Sequence, residues 1–200
     1  HTHRWRNLLL GYAAAEAAIG VLAVVFHTVF VAATDLAYDA VIPFLGSPLA
    51  VSISKWILSA ILILPQSALL GTTFPLMSAG VLRAFPDRSG STIAMLYFTN
   101  SLGAALGVLA SGFYLVGAVG LPGTVLSAGL LNIALALIVW LLAKNLPQQI
   151  PASTRADIST PAATALRRGY RLMLAVSLLT GAASFMYEIG WIRMLSMVLG

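Results

Sequence analysis

The sequence predicts an all-α fold, a polytopic bundle of transmembrane helices, from its composition and its apolar pattern. Sixty per cent of the 200 residues are hydrophobic and 8% are charged, with a mean hydropathy of +0.94. Soluble domains carry about 25% charged residues. Five apolar stretches each approach or exceed the roughly 20 residues that cross about 30 Å of hydrocarbon. They cover residues 8–33, 56–82, 93–119, 125–143 and 172–200.

The distribution of basic residues predicts the orientation of these five spans. Nine of the eleven Lys and Arg residues fall in residues 1–6, 83–90 and 144–171. Cytoplasmic loops carry such an excess, so these three segments are predicted to be cytoplasmic. The expected partner is therefore the lipid bilayer. Nucleic acid is not expected, because the basic residues flank apolar spans without interleaved aromatic residues. We expect the location to be a bacterial inner membrane.

Two connections organise the chain. Pro147–Thr164 is rich in Pro, Ser, Thr and Ala, and is predicted to be irregular. It divides a four-span block, residues 1–146, from one further span, residues 169–200, with residues 147–168 as a cytoplasmic linker. The turn at residues 121–123 predicts that the third and fourth spans pack antiparallel as neighbours.

Three polar residues interrupt the first three spans at similar predicted depths. At 1.5 Å per residue, Glu16, Gln66 and Asn100 lie within a few Å of one another in depth, near the middle of the bilayer. A carboxylate facing lipid there costs at least about 2.5 kcal/mol. Glu16 must therefore face the interior or a wet cavity, or carry a proton. Either the three residues build a substrate or proton site, or they only hydrogen-bond across helices.

The second span carries two prolines and a glycine that interrupt regular helix bonding. Pro65 and Pro75 each free the carbonyl four residues earlier, and Gly71 lies between them. Such interruptions line substrate paths in some transporters, but proline kinks are also ordinary in membrane helices. The polar side chains placed to bond the freed carbonyls are Gln66, Thr72 and Thr73.

The third and last spans carry two further groups of candidates. Gly103 and Gly107 form a small-residue stripe that predicts a helix-packing face. In the last span, Trp191 and Arg193 fit an anchor at the outer interface, whereas Glu188 lies deeper and is a candidate for binding or pairing. The sequence has no Cys and no cluster of metal ligands or catalytic motif, so no cofactor or metal is expected.

Several stretches then resemble one family of membrane proteins. From Ala183 to Leu195 the order is small-x-x-x-Tyr-Glu-x-x-Trp-x-Arg-x-Leu. Residues 16–20 read Glu-Ala-Ala-Ile-Gly, residues 64–66 Leu-Pro-Gln, residues 70–76 Leu-Gly-Thr-Thr-Phe-Pro-Leu, and residues 99–103 Thr-Asn-Ser-Leu-Gly. These patterns are similar to the membrane domain of fused spermidine-synthase-like proteins. In that family the Tyr-Glu-Trp-Arg motif opens a six-span block.

The resemblance implies a fragment of a larger membrane domain similar to the major facilitator superfamily. Residues 1–146 would then end one six-span repeat, and residues 169–200 would open the next. The implied partners are the remaining spans and a soluble aminopropyltransferase-like domain, whose Gly-rich nucleotide loop has no counterpart here. Any enzyme activity of the full protein would therefore lie outside these residues.

The sequence is consistent with three functions. The first is a non-catalytic, transporter-like domain of such a fusion protein, handling polyamine or another small substrate. The second is a stand-alone secondary transporter, coupled to protons through Glu16. The third is a structural anchor whose polar groups only join helices. The candidates for substrate binding or proton coupling are Glu16, Gln66, Asn100, Glu188 and Arg193.

Overall fold

A computed structural model describes residues 8–84, 89–145 and 160–199. Its described residues are helical, without strands, which confirms the predicted all-α class. Short π-helical segments follow the first and third helices, at Ala37–Val41 and Ser111–Leu115, and a 3₁₀ turn covers Ile42–Phe44. The five α-helices are α1 (Leu8–Leu36), α2 (Pro48–Ala84), α3 (Ser89–Ala110), α4 (Val116–Asn145) and α5 (Thr160–Leu199).

Four helical stretches in the described part of the chain are long and apolar enough to cross a membrane. They are Leu8–Phe44, Pro48–Arg83, Gly90–Lys144 and Arg168–Val198. The third contains 55 residues and joins α3 to α4, which the sequence predicts as separate spans. Gly120 interrupts it with φ 71° and ψ −179°, a backbone conformation that is essentially restricted to glycine.

Side-by-side contacts give the relative directions of the helices. Residue numbers rise together along the bundle in contacts between α5 and α3, and between α5 and α1, so all three run parallel. The pairs are Gly103 with Leu178 and Gly107 with Ala182 for α3, and Tyr12 with Thr180 and Phe26 with Trp191 for α1.

Helix α4 runs in the opposite direction. Gly20 of α1 packs against Gly129, whereas Leu10, nearer the start of α1, shares a groove with Trp140 near the end of α4. The chain therefore reverses direction near Gly120 within the long third stretch. The prediction that its two halves pack as neighbours is wrong, however. Beyond the turn, α5 lies against both α3 and α4, because the glycine stripe of α3 is packed on α5.

The two ends of the bundle carry different charged segments. At one end Tyr38 donates a hydrogen bond of 3.0 Å to a carbonyl in the last turn of α5. At the other end Gly80 packs against Leu9 near the start of α1. Asp39 and Arg83 therefore lie at opposite ends, as the charge pattern predicts. Which end is cytoplasmic remains a prediction.

The predicted linker is shorter than expected at its carboxyl side. Residues 146–159 lie outside the described residues, as do residues 1–7 and 85–88. Helix α5 already begins at Thr160, so the prediction of irregular structure through Thr164 is wrong for its last residues. Pro161 causes no conflict, since proline is well tolerated in the first turn of a helix. Helix α5 then packs against α2, α3 and α4, and it contacts α1 through side chains such as Tyr12 and Phe26.

The interior consists of two apolar clusters separated along the bundle axis. One includes Leu9, Met77 and Met173 and lies toward the Arg83 end; the other includes Phe26 and Met194 and lies toward the Asp39 end. Between them the helices place polar residues in the interior, which we call the polar band. Its members are Glu16 on α1, Gln66 on α2, Asn132 on α4, and Thr180 and Tyr187 on α5, all of them buried.

Candidate functional site: a buried carboxyl in a polar band

Glu16 is the centre of the polar band. Its side chain has no exposed surface, although it lies in the middle of an apolar helix. Its Oε1 atom accepts a hydrogen bond of 3.1 Å from the hydroxyl of Thr180 on α5. Its Oε2 atom has no hydrogen-bond partner within the described residues. Half of the carboxyl group is therefore satisfied by protein and half is free to bind something else.

Tyr12 extends this contact into a chain of hydroxyl groups. Tyr12 precedes Glu16 by four residues, so both side chains lie on the same face of α1, toward α5. The hydroxyls of Tyr12 and Thr180 are hydrogen-bonded to each other. Since Thr180 donates its one hydrogen to Glu16, Tyr12 must donate to Thr180. The chain runs from Tyr12 through Thr180 to the carboxyl and ties α1 to α5.

Gln66 brings α2 to the same place. Its side chain is only 2% exposed, and its Nε2 atom donates a 3.4 Å hydrogen bond to the carbonyl of Ile19, one turn beyond Glu16. Its Oε1 atom has no partner within the described residues. The structure thus brings Glu16 and Gln66 together at the similar depth that the sequence predicts.

Two aromatic residues of α5 form one wall beside these groups. Tyr187 and Trp191 are both buried, and their rings stack with centroids 5.4 Å apart. Trp191 also faces Phe26 of α1 at 6.2 Å. The Tyr187 hydroxyl and the Trp191 indole nitrogen are buried without hydrogen-bond partners in the described part of the chain. Trp191 is therefore an interior residue, and its predicted role as an interfacial anchor is wrong.

Asn132 of α4 is a further member that the sequence reasoning left out of the site. It is 1% exposed, and both atoms of its amide group lack partners within the described residues. It lies between Gly129 and Ile133, whose atoms pack directly against Gly20. The amide therefore lies at about the depth of Gly20, one turn from Glu16.

Three predicted candidates lie away from this cluster. Asn100 is half-buried on α3, and its backbone carbonyl faces Gly181 of α5. Glu188 and Arg193 are both exposed on the outside of α5. These positions separate them from the buried carboxyl in the structure as described.

The glycines and prolines have different structural roles. A Cβ atom at Gly103 would lie 1.8 Å from the Leu178 carbonyl oxygen, and one at Gly107 would lie 2.3 Å from that of Ala182. Both glycines therefore let α3 contact the backbone of α5. Gly71, in contrast, has no atom within 4 Å of its Cβ position.

Helix α2 continues through Pro65 and Pro75 without a break. The expectation that nearby polar side chains bond the carbonyls freed by these prolines is wrong. Gln66 bonds to α1 instead, and the threonine hydroxyls bond carbonyls that the prolines do not free. Thr72 donates to Leu69 and Thr73 donates to Leu70.

The buried polar atoms without hydrogen-bond partners indicate what kind of ligand this site could bind. Leaving a buried polar group unsatisfied costs about 1–3 kcal/mol, and native proteins contain few such groups. Here carboxyl and amide oxygens occur beside hydroxyl, indole and amide donors. A small polar ligand or water would satisfy both kinds of atom. No cluster of three metal-ligand side chains occurs in residues 8–84, 89–145 and 160–199.

Comparison with known proteins finds no match to a protein-family model, a curated protein or a solved structure. The fold and site by themselves define a class: an all-helical protein with helices apolar enough to cross a membrane, and a buried carboxyl at the centre of the bundle.

Proposed function

We propose that the chain is a non-catalytic, transporter-like membrane domain that handles a small cationic substrate. The observation that carries this proposal is the free Oε2 atom of Glu16, fully buried among α1, α2 and α5. Ionisable side chains inside membrane bundles mark substrate paths or proton relays, because their insertion is costly. A bound cation would supply the missing interaction partner of Glu16 Oε2.

The surroundings of the carboxyl fit an organic ammonium group. An ammonium group has only hydrogen-bond donors, and the free acceptors of the polar band include Glu16 Oε2, Gln66 Oε1 and Asn132 Oδ1. The stacked rings of Tyr187 and Trp191 offer aromatic faces nearby, and such faces attract cations. A polyamine has this chemistry. Its assignment as substrate rests on the resemblance to spermidine-synthase-like fusion proteins and on these acceptors.

The proposal includes five membrane crossings in an arrangement similar to the major facilitator superfamily. Support comes from the reversal of direction at Gly120, which divides the 55-residue stretch into two runs, each longer than the roughly 20 residues needed to cross. With this division the five helices alternate in direction along the chain. The predicted cytoplasmic and outer connections then fall at alternate ends.

A second candidate function is proton-coupled transport by a stand-alone carrier. The specific observation that favours it is the hydroxyl chain from Tyr12 through Thr180 to Glu16, which could pass a proton to or from the carboxyl. The same chain also suits a structural anchor, because it joins α1 to α5. The three functions differ in what they predict for a substitution that keeps the shape of Glu16.

The test is Glu16→Gln in the full protein, assayed for uptake of radiolabelled spermidine and for folded yield in detergent. We expect uptake to fall at least about tenfold with yield retained, since a charge-assisted bond is worth about 1.5–3 kcal/mol. Ser59→Ala is the matched control, because this buried hydroxyl bonds only within α2, to Lys55. Uptake unchanged by Glu16→Gln, or lost together with yield, would contradict the proposal.

A further inference from the structure

An open groove on the outside of the bundle has a different character from the polar band. It lies between α1 and α4, with a volume of about 480 Å³. Small side chains on α1 leave the space, and larger apolar side chains of α4 form the opposite wall. The lining residues are Leu10, Ala13, Ala14 and Ala17 of α1, and Ile133, Ala136, Leu137 and Trp140 of α4.

A lysine side chain lies at one end of this groove. Lys144 is exposed, one helical turn beyond Trp140, and its Nζ atom lies 3.5 Å from the centroid of the Trp140 ring. Tryptophan and lysine at a helix end are typical of the headgroup level of a bilayer. Arg168 and Arg171 are exposed at the beginning of the spanning part of α5, at this same end of the bundle.

The other end of the groove closes at mid-depth. There Gly20 packs so closely that a Cβ atom would lie 2.5 Å from Ile133 and 2.8 Å from the carbonyl oxygen of Gly129. Eleven residues separate Ile133 from Lys144, which is about 16 Å of helix. One leaflet of hydrocarbon is about 15 Å thick, half of the bilayer core. The groove therefore matches one leaflet in length.

We propose that this groove binds an anionic phospholipid, with one acyl chain between α1 and α4 and its phosphate at Lys144. The apolar lining suits the acyl chain, and the positive charge at the interfacial end complements the phosphate. A neighbouring transmembrane helix would contact both leaflets, whereas this concavity ends halfway. This favours a lipid over a second helix as the occupant.

The test measures lipid binding to the purified full protein by native mass spectrometry, with dioleoyl phosphatidylglycerol and dioleoyl phosphatidylcholine as probes. We expect tighter binding of phosphatidylglycerol. Lys144→Gln should weaken it about fivefold, the factor expected from one basic residue near a membrane surface. Arg193→Gln, which removes an exposed cation toward the other end, should leave it unchanged.

A second variant tests the acyl-chain part separately. Ala14 is exposed in the groove, so Ala14→Leu fills the space without entering the core and should abolish tight binding of phosphatidylglycerol. Ala134→Leu is the matched control, at an exposed position of α4 outside the groove. Equal binding of the two lipids, or binding unaffected by both Lys144→Gln and Ala14→Leu, would overturn the proposal. A dimer that Ala14→Leu disrupts would identify a helix as the occupant and also overturn it.

Discussion

Glu16 shows how much one polar residue can determine in an apolar helix. Its position in the sequence predicts that it faces the interior, because lipid exposure of a carboxylate at mid-depth is too costly. The structure agrees, and it adds the partners that the sequence could not supply. Thr180 is 164 residues away along the chain, so no local pattern indicates that its hydroxyl meets this carboxyl.

Two tyrosines near Glu16, one of them in the polar band, had a sequence signal that could have been used. Tyr12 lies four residues before Glu16, and Tyr187 lies seven residues after Thr180, so each pair shares a helix face. Tyrosine in an apolar span also resembles an ordinary interfacial residue. Only the packing of α5 against α1 distinguishes the two interpretations.

Removal of the Thr180 hydroxyl is the first prediction at the residue scale. Thr180→Val keeps the side-chain shape but removes the hydroxyl that is hydrogen-bonded to both Glu16 Oε1 and Tyr12. We expect the bundle to lose about 1–2 kcal/mol of stability, the upper range for interhelical hydrogen bonds in membranes. The measurement is the free energy of unfolding in a detergent titration.

A comparison variant makes this result interpretable. Ser184→Ala removes a hydroxyl from the same helix that bonds only to the Thr180 backbone carbonyl. It should change stability by much less than Thr180→Val. Equal effects of the two variants would show that the contact with Glu16 adds nothing.

At the scale of elements, the closest contact is that between α3 and α5. The sequence predicts a packing face on α3 from Gly103 and Gly107, and those residues do allow backbone contact. The sequence predicts no partner for this face, and the separate prediction from the turn at residues 121–123, that the third and fourth spans are neighbours, is wrong. A stripe of small residues allows another helix to pack closely against it. It does not specify which helix, because many apolar helix faces could pack there.

A pair of glycine variants tests this contact. Gly103→Ala places a Cβ atom against the Leu178 carbonyl oxygen, so α3 and α5 must separate, and we expect a loss of about 1–3 kcal/mol. Gly71→Ala is the matched control in open space, where removing a helix-interior glycine should stabilise by about 0.5–1 kcal/mol. Thermal midpoints in detergent should therefore move in opposite directions. A neutral Gly103→Ala would show that α3 and α5 are further apart.

At the scale of the whole molecule, the arrangement depends on the separation of charged segments along the chain. The alternation of basic connections predicts which helix ends lie together, and the contacts near Tyr38 and Gly80 agree with it. Charge patterns and apolar length could be interpreted without the structure because they depend on the bilayer as solvent. Which helices become neighbours depends on how side chains from distant segments fit together. Local patterns in a single sequence do not predict that fit.

We expect the Asp39 and Arg83 ends to lie on opposite sides of a membrane, with the carboxyl of Glu16 between them. Residues 1–200 contain no cysteine, so labelling of each variant is compared with that of the parent protein. Gly46 lies in the connection after α1 and Gly90 at the start of α3, and both have open space around them. We would label Gly46→Cys and Gly90→Cys in intact cells with a membrane-impermeant maleimide. We expect Gly46→Cys to react at once and Gly90→Cys to react only after permeabilisation. Reaction of both from the same side would show that the two ends lie on one side of the membrane.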